Sequence, residues 1–213
     1  MLHSRNNGRV SAAWLIVIAA FAAAFGLWFG ARIFGTQAPP QLEATLVYPT
    51  PRALPDFQLS RSDGKLLTLA DWKGRWTIAF FGYTNCPDVC PTTLAAFKQT
   101  WALLGKAGLQ DKVRFDFISV DPARDTPAQL ARYVGFFSKD FVAATGTDAE
   151  LTRITHALGL VYMREKSDDG NYTVDHSASA VVIDPQGREY GLVKPPLDAA
   201  KLARDLSTLA RSG

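Results

Sequence analysis

Cysteine is scarce in this chain. There are two among 213 residues, alongside three histidines and two methionines. Both cysteines, Cys86 and Cys90, fall in one stretch, TNCPDVCPTTL, and no other thiol competes with them. Net charge is also small, at +3, and part of it lies in the N-terminal tail at Arg5 and Arg9. No basic stripe with interleaved aromatics exists, which excludes a nucleic-acid partner. No internal repeat is present, and no low-complexity tract beyond one proline-rich stretch.

Charged residues are missing altogether from 10–31, a run of 22 residues rich in Ala, Ile, Leu, Phe and Trp. About 20 such residues span a bilayer as a helix. Trp14 and Trp28 stand near the two ends, where an interfacial belt places them, and Arg5 and Arg9 precede the run. The positive-inside rule then keeps a short tail, 1–9, in the cytoplasm and exports the rest. The run holds no cysteine for lipidation. A cleaved signal peptide is the competing reading, but its apolar region is typically only about 7–15 residues long. The expectation is an uncleaved anchor over 10–34, in a single-pass protein of the bacterial inner membrane with its C-terminal domain in the periplasm. That space is oxidising, so a lone cysteine pair there becomes a disulfide unless it is reduced or metallated.

Beyond the anchor, composition is that of an ordinary globular protein, 47% hydrophobic and 20% charged. The stretch 36–55 contains five prolines, so 35–53 reads as an extended linker and 54–213 as the domain. Within the domain, 57–59 and 66–69 flank a turn and read as a hairpin. The continuous apolar run 76–81 reads as a strand covered on both faces. A helix is expected over 91–104, and a second strong strand over 113–120. Thr126 with Gln129, and Thr147 with Glu150, mark two helix starts. A short strand at 141–144 lies between those helices, and Asp168-Asp169-Gly170 marks a turn. A hairpin at 179–193 and an amphipathic helix at 197–209 close the chain. Alternating strands and helices followed by a hairpin predict an α/β fold, a thioredoxin-like domain with a central mixed sheet flanked by helices.

The chemistry concentrates at the cysteines. A strand that empties into a dithiol at a helix start suits disulfide exchange, metal holding or peroxide reduction. Residues four apart on a helix share a face, so both sulfurs can meet one ion or each other. A helix N-terminus stabilises a thiolate. A purely structural disulfide is the plain alternative, although so short a loop gains little from closure. Among the histidines, His3 falls in the cytoplasmic tail and is excluded. His156 reads as a packed or half-exposed helix residue. His176, in TVDHSASAVVID, is the exported histidine at the mouth of a strand, and reads equally as a ligand or as a structural residue.

Three blocks resemble one family. TNCPDVCPTTL is similar to the metal motif of the Sco (SenC) copper chaperones for cytochrome c oxidase. FISVDPARDTP resembles that family's second block, and TVDHSASAVVIDPQG its histidine block. They occur in the family order and span 54 to the C-terminus. The resemblance implies metal ligands at Cys86, Cys90 and His176, and one copper, Cu(I) or Cu(II), on a thioredoxin-like domain. It implies delivery of that copper to the binuclear centre of an oxidase subunit, or reduction of that subunit's cysteines. The implied partners are that copper-bearing subunit and a second periplasmic copper chaperone or thiol reductant. Asp121 and Asp175 match acidic positions flanking the family site and are candidates for orienting His176, with Asp88 in similar standing.

Two other functions compete. A periplasmic thiol–disulfide oxidoreductase without obligatory metal needs Cys86 and Cys90 as redox-active residues but not His176. A peroxidase-like enzyme fits the layout and the Leu54-Pro-Asp-Phe57 stretch, yet no residue pattern singles out the base it needs. Zinc suits the same three donors.

Overall fold

The structure, a computed structural model, describes residues 12–34, 41–166 and 172–212. The tail 1–9 with His3, the first part of the expected linker with Pro39 and Pro40, and the expected turn at Asp168-Asp169-Gly170 lie outside the described residues. The chain divides into two compact units, 1–39 and 40–213.

The first unit contains α1, Ala12–Phe34. Its 18-residue window Ala13–Gly30 has a mean hydropathy of 2.1, long and apolar enough to cross a membrane. Leu15, Ile16, Phe21, Phe25 and Leu27 are all exposed, so no face of the helix is buried within its own unit.

The second unit is an eight-stranded sheet with helices packed on it. In chain order it runs β1 (Thr45–Ala53), β2 (Gln58–Arg61), β3 (Leu66–Thr68), β4 (Trp76–Gly82), α2 (Val89–Lys106), β5 (Val113–Ser119), α3 (Pro127–Phe137), β6 (Val142–Thr145) and α4 (Asp148–Ala157). It continues with β7 (Tyr162–Lys166), β8 (Tyr172–His176), β9 (Ala180–Ile183), β10 (Arg188–Val193) and α5 (Ala199–Ser212). The sheet order is β1-β10-β9-β4-β5-β6-β2-β3. The central β4, β5 and β6 are parallel, and the strands on either side of them are antiparallel. This is the mixed, helix-flanked sheet that the sequence predicts. Every residue of β4 and β5 is buried, as parallel strands require when helices cover both faces. Strand β5 tolerates Arg114 and Asp116 there because they pair with each other at 2.6 Å, while Trp72 Nε1 donates to Asp116 at 2.8 Å.

Two departures from the sequence reading have physical reasons. Residues 45–53, expected as linker, form an edge strand of the main sheet. Thr45–Val47 and Arg52–Ala53 pair with β10, and the register breaks between Val47 and Arg52, where Pro49 and Pro51 stand. Proline is admissible on an edge or at such an irregularity. Gly191 permits the close pairing, since a Cβ there would meet the Leu46 carbonyl oxygen at 2.2 Å. Arg52 adds an ion pair at 2.6 Å to Glu189, whose side chain is fully buried. The second departure is β7–β8, a separate two-stranded sheet that no apolar run announces.

The start of the domain is secured by Asp205 on α5. Its buried carboxylate accepts the backbone N–H groups of Glu43, Ala44 and Thr45, each at 2.8 Å. Replacing Asp205 with Ala orphans all three donors. The variant is expected to lose about 2–3 kcal/mol of stability, read as a lowered thermal midpoint by circular dichroism.

Candidate metal centre

Strand β4 ends at Gly82 and delivers a six-residue loop, 83–88, to the start of α2. The helix begins at Val89 rather than at Pro91. Proline is tolerated there because a first-turn N–H has no partner within the helix. Asp88 stands at the N-cap position, but its side chain makes no capping bond. The Cys86 sulfur takes that part instead, accepting the Cys90 backbone N–H at 3.4 Å.

Cys90, on the first turn of α2, is fully buried. Burial pushes its thiol well above the ordinary range, the largest of the influences on it. Its sulfur lies over Gly82, and a Cβ at that position would come within 2.6 Å of Sγ. The last residue of the strand is therefore glycine for lack of room.

His176, the last residue of β8, enters from the separate hairpin. Its ring meets Phe80 and Tyr83 edge-on, with centroids 5.8 and 5.9 Å away. Nδ1 lies 3.1 Å from the Ser177 carbonyl oxygen, which can only accept, so Nδ1 carries the proton. Nε2 is left with its lone pair toward Cys90 Sγ, at 3.4 Å. Desolvation lowers the His176 pKa, so the imidazole is neutral near pH 7. The donor atoms of Cys86, Cys90 and His176 all lie within 4.8 Å of one another, and neither cysteine is bridged. Two soft sulfurs and one imidazole nitrogen suit a soft or borderline cation, and two thiols this close can also pair with each other.

The other sequence candidates fall elsewhere. Asp121 makes no direct bond to His176: it accepts Arg124 Nε and the Tyr172 hydroxyl, the latter at 2.6 Å. Asp175 is exposed and faces Met163 across the hairpin. Its charge raises the His176 pKa slightly, against the dominant desolvation. The Ser177 carbonyl fills the orienting place expected of a carboxylate. Asp88 accepts the Thr92 hydroxyl at 3.3 Å. His156 lines a different cleft, with Thr152, Tyr162 and Met163.

Sequence reasoning missed Asp125. It is buried and accepts the Thr84 backbone N–H at 2.9 Å, and the hydroxyls of Thr84 and Ser119 at 2.5 Å each. Gln129 Nε2 adds a bond to Thr84 Oγ1 at 2.8 Å. These bonds hold the loop two residues before Cys86. The available signal was the second aspartate of FISVDPARDTP, directly before a capping threonine.

Comparison with known proteins agrees with this geometry. The family model described as SCO1/SenC matches residues 48–211. A protein of Stutzerimonas stutzeri whose name speaks of copper binding is 36% identical over 161 residues, 76% of this chain and 78% of its own. The mitochondrial SCO1 homolog 1 of Arabidopsis thaliana is 36% identical over 130 residues, 61% of this chain and 39% of that protein. The copper-bound structure of Bradyrhizobium japonicum ScoI superposes with a TM-score of 0.68 at 36% identity, covering 74% of this chain and 99% of that one.

Gly82→Ala tests the packing of the buried sulfur. The new methyl also lies 3.1 Å from the Phe117 ring, so neither neighbour yields freely. The substitution is expected to cost about 1–3 kcal/mol. It is also expected to speed labelling of Cys90 by an alkylating reagent, measured by mass spectrometry, while labelling of the half-buried Cys86 stays unchanged.

Proposed function

Because the chain belongs to the SCO1/SenC family, we propose that it is a membrane-anchored copper-binding assembly factor for cytochrome c oxidase. Cys86, Cys90 and His176 hold one copper ion as cargo. The observation that carries the reading is the meeting of two sulfurs and a neutral imidazole nitrogen within 4.8 Å. The copper-bound state of the Bradyrhizobium japonicum relative supports the choice of ion.

Each residue has a part that follows from its surroundings. Cys86 is held in place by the α2 N–H group that its sulfur accepts. Cys90 is a protonated thiol until a cation displaces its proton, so loading releases acid. His176 is already neutral and its Nδ1 is occupied, so Nε2 is the free donor. Copper supplies a soft, exchangeable centre. Three protein donors leave a position at which a partner's ligand can attach before the ion is passed on.

The apolar α1 supports the anchor, and Arg5 and Arg9 before it support an N-terminus in the cytoplasm and a domain in the periplasm. The partner is then the copper-bearing oxidase subunit, either receiving copper or having its own cysteines reduced. A periplasmic chaperone or thiol reductant supplies the copper or the electrons. The second reading, a thiol–disulfide oxidoreductase, is favoured by the two unbridged thiols with Cys86 on a helix N-terminus. It uses both cysteines and has no need of His176.

Anaerobic Cu(I) titration of the full chain in detergent, against a chromophoric competitor, separates the two. One tightly held copper per chain is expected for the wild type. The Cys86→Ser/Cys90→Ser double variant is expected to hold none, and His176→Ala to bind at least about tenfold more weakly, since loss of a mere orienting partner already costs that much. Stoichiometric copper on the double cysteine variant contradicts the proposal. Copper affinity indifferent to His176→Ala, together with disulfide reductase activity, favours the oxidoreductase.

A further inference from the structure

Among the described residues, the hairpin that carries His176 has no backbone ladder to the main sheet. Its distance from the sulfurs is therefore set by whatever pins β7–β8 to the domain. On β7, Arg164 donates to the Val120 carbonyl at 3.3 Å and pairs with Asp148 at 2.6 Å. Asp148 is largely solvated, and ion pairs of that kind hold weakly.

On β8 the attachment is of another order. Tyr172, four residues before His176, lies under Arg124. The guanidinium carbon is 3.7 Å from the Tyr172 ring centre, and Nη1 donates to the Tyr172 carbonyl at 2.9 Å. Nε of the same arginine donates to Asp121, whose side chain is fully buried. That carboxylate also accepts the Tyr172 hydroxyl. The guanidinium is 5.7 Å from the ring centre of Tyr83, the residue whose ring also abuts His176.

Arg124 belongs to a tight turn, 121–125, in which the N–H groups of Arg124 and Asp125 both donate to the Asp121 carbonyl, at 3.2 and 2.9 Å. Asp125 grips Thr84 on the cysteine loop, and Arg124 grips Tyr172 on the histidine hairpin. One turn thus spaces the two halves of the centre. We propose that Arg124 is a positioning residue for copper binding: its lock on Tyr172 and Asp121 brings His176 into the donor set. This rests on the reading of Cys86, Cys90 and His176 as the copper-holding set. Lysine is no substitute, since a single ammonium cannot stack on the ring while forking to the carboxylate and the carbonyl.

The test uses the full chain in detergent with Arg124→Ala and Arg124→Lys. In the metal-free protein, both are expected to speed hydrogen exchange of amides 162–166 and 172–176 by about tenfold or more, leaving β4 and β5 unchanged. In the Cu(II)-loaded protein, both are expected to lose the imidazole-nitrogen coupling in pulsed EPR and to keep the sulfur-to-copper charge-transfer band. Unchanged hairpin exchange in Arg124→Ala overturns the proposal. Faster exchange with the nitrogen coupling retained overturns it too, leaving Arg124 a purely structural contact. If the wild type shows the sulfur band without nitrogen coupling, the three-donor reading itself fails, and hairpin exchange in the metal-free protein still decides whether Arg124 locks β8. Should Arg124→Ala unfold, Tyr172→Ala cuts the same lock from the half-buried hairpin side and is read in the same two ways.

Discussion

The contact between Cys90 Sγ and His176 Nε2, 3.4 Å across 86 positions of sequence, is the constraint on which the centre depends. Neither residue reaches the other by local structure. Cys90 is placed by the strand-to-helix crossing of β4 into α2, and its sulfur fits only because Gly82 has no side chain. His176 is placed by a hairpin outside the main sheet. A buried thiol and a half-buried imidazole each lose hydration when they are brought together, and each is displaced from its ordinary titration for that reason. In the metal-free protein the thiol proton and the Nε2 lone pair satisfy each other, and a cation that displaces that proton meets both donor atoms.

The surroundings serve that end. Phe80 and Tyr83 wall two sides of the imidazole and shield them from water, which strengthens electrostatic interactions there. The Ser177 carbonyl fixes the tautomer, and the α2 amide at Cys90 points at the outer sulfur. The turn 121–125 carries the bonds that tie the cysteine loop on one side and the hairpin on the other. A second block of sequence with no metal donor of its own thus has a physical role. It ties two segments distant in sequence into one centre.

Much of this was legible in the sequence. The apolar runs of β4 and β5 and the closing hairpin of β9 and β10 stand out by composition and turn residues. Thr126 and Thr147 do cap α3 and α4, accepting the N–H groups of Gln129 and Glu150. The reciprocal halves of those boxes are absent because Gln129 reaches Thr84, and Glu150 reaches Gln58 and Arg153. The cysteines announced themselves by rarity, and His176 by its place in a recognisable block. What was not legible depends on tertiary partners. Strand β1 is hidden by prolines that an edge strand accommodates. Hairpin β7–β8 is mostly solvent-facing and has no apolar run. The carbonyl that orients His176 belongs to the backbone, which no residue type signals.

The central claim is that the sulfurs of Cys86 and Cys90 and the nitrogen of His176 act together on one ion. X-ray absorption at the copper edge of the anaerobically Cu(I)-loaded full chain tests it most directly, since sulfur and imidazole scatterers are counted separately. The account predicts two sulfurs and one imidazole nitrogen around each copper, with the nitrogen contribution gone in His176→Ala. A copper shell of sulfur alone in the wild-type protein contradicts it.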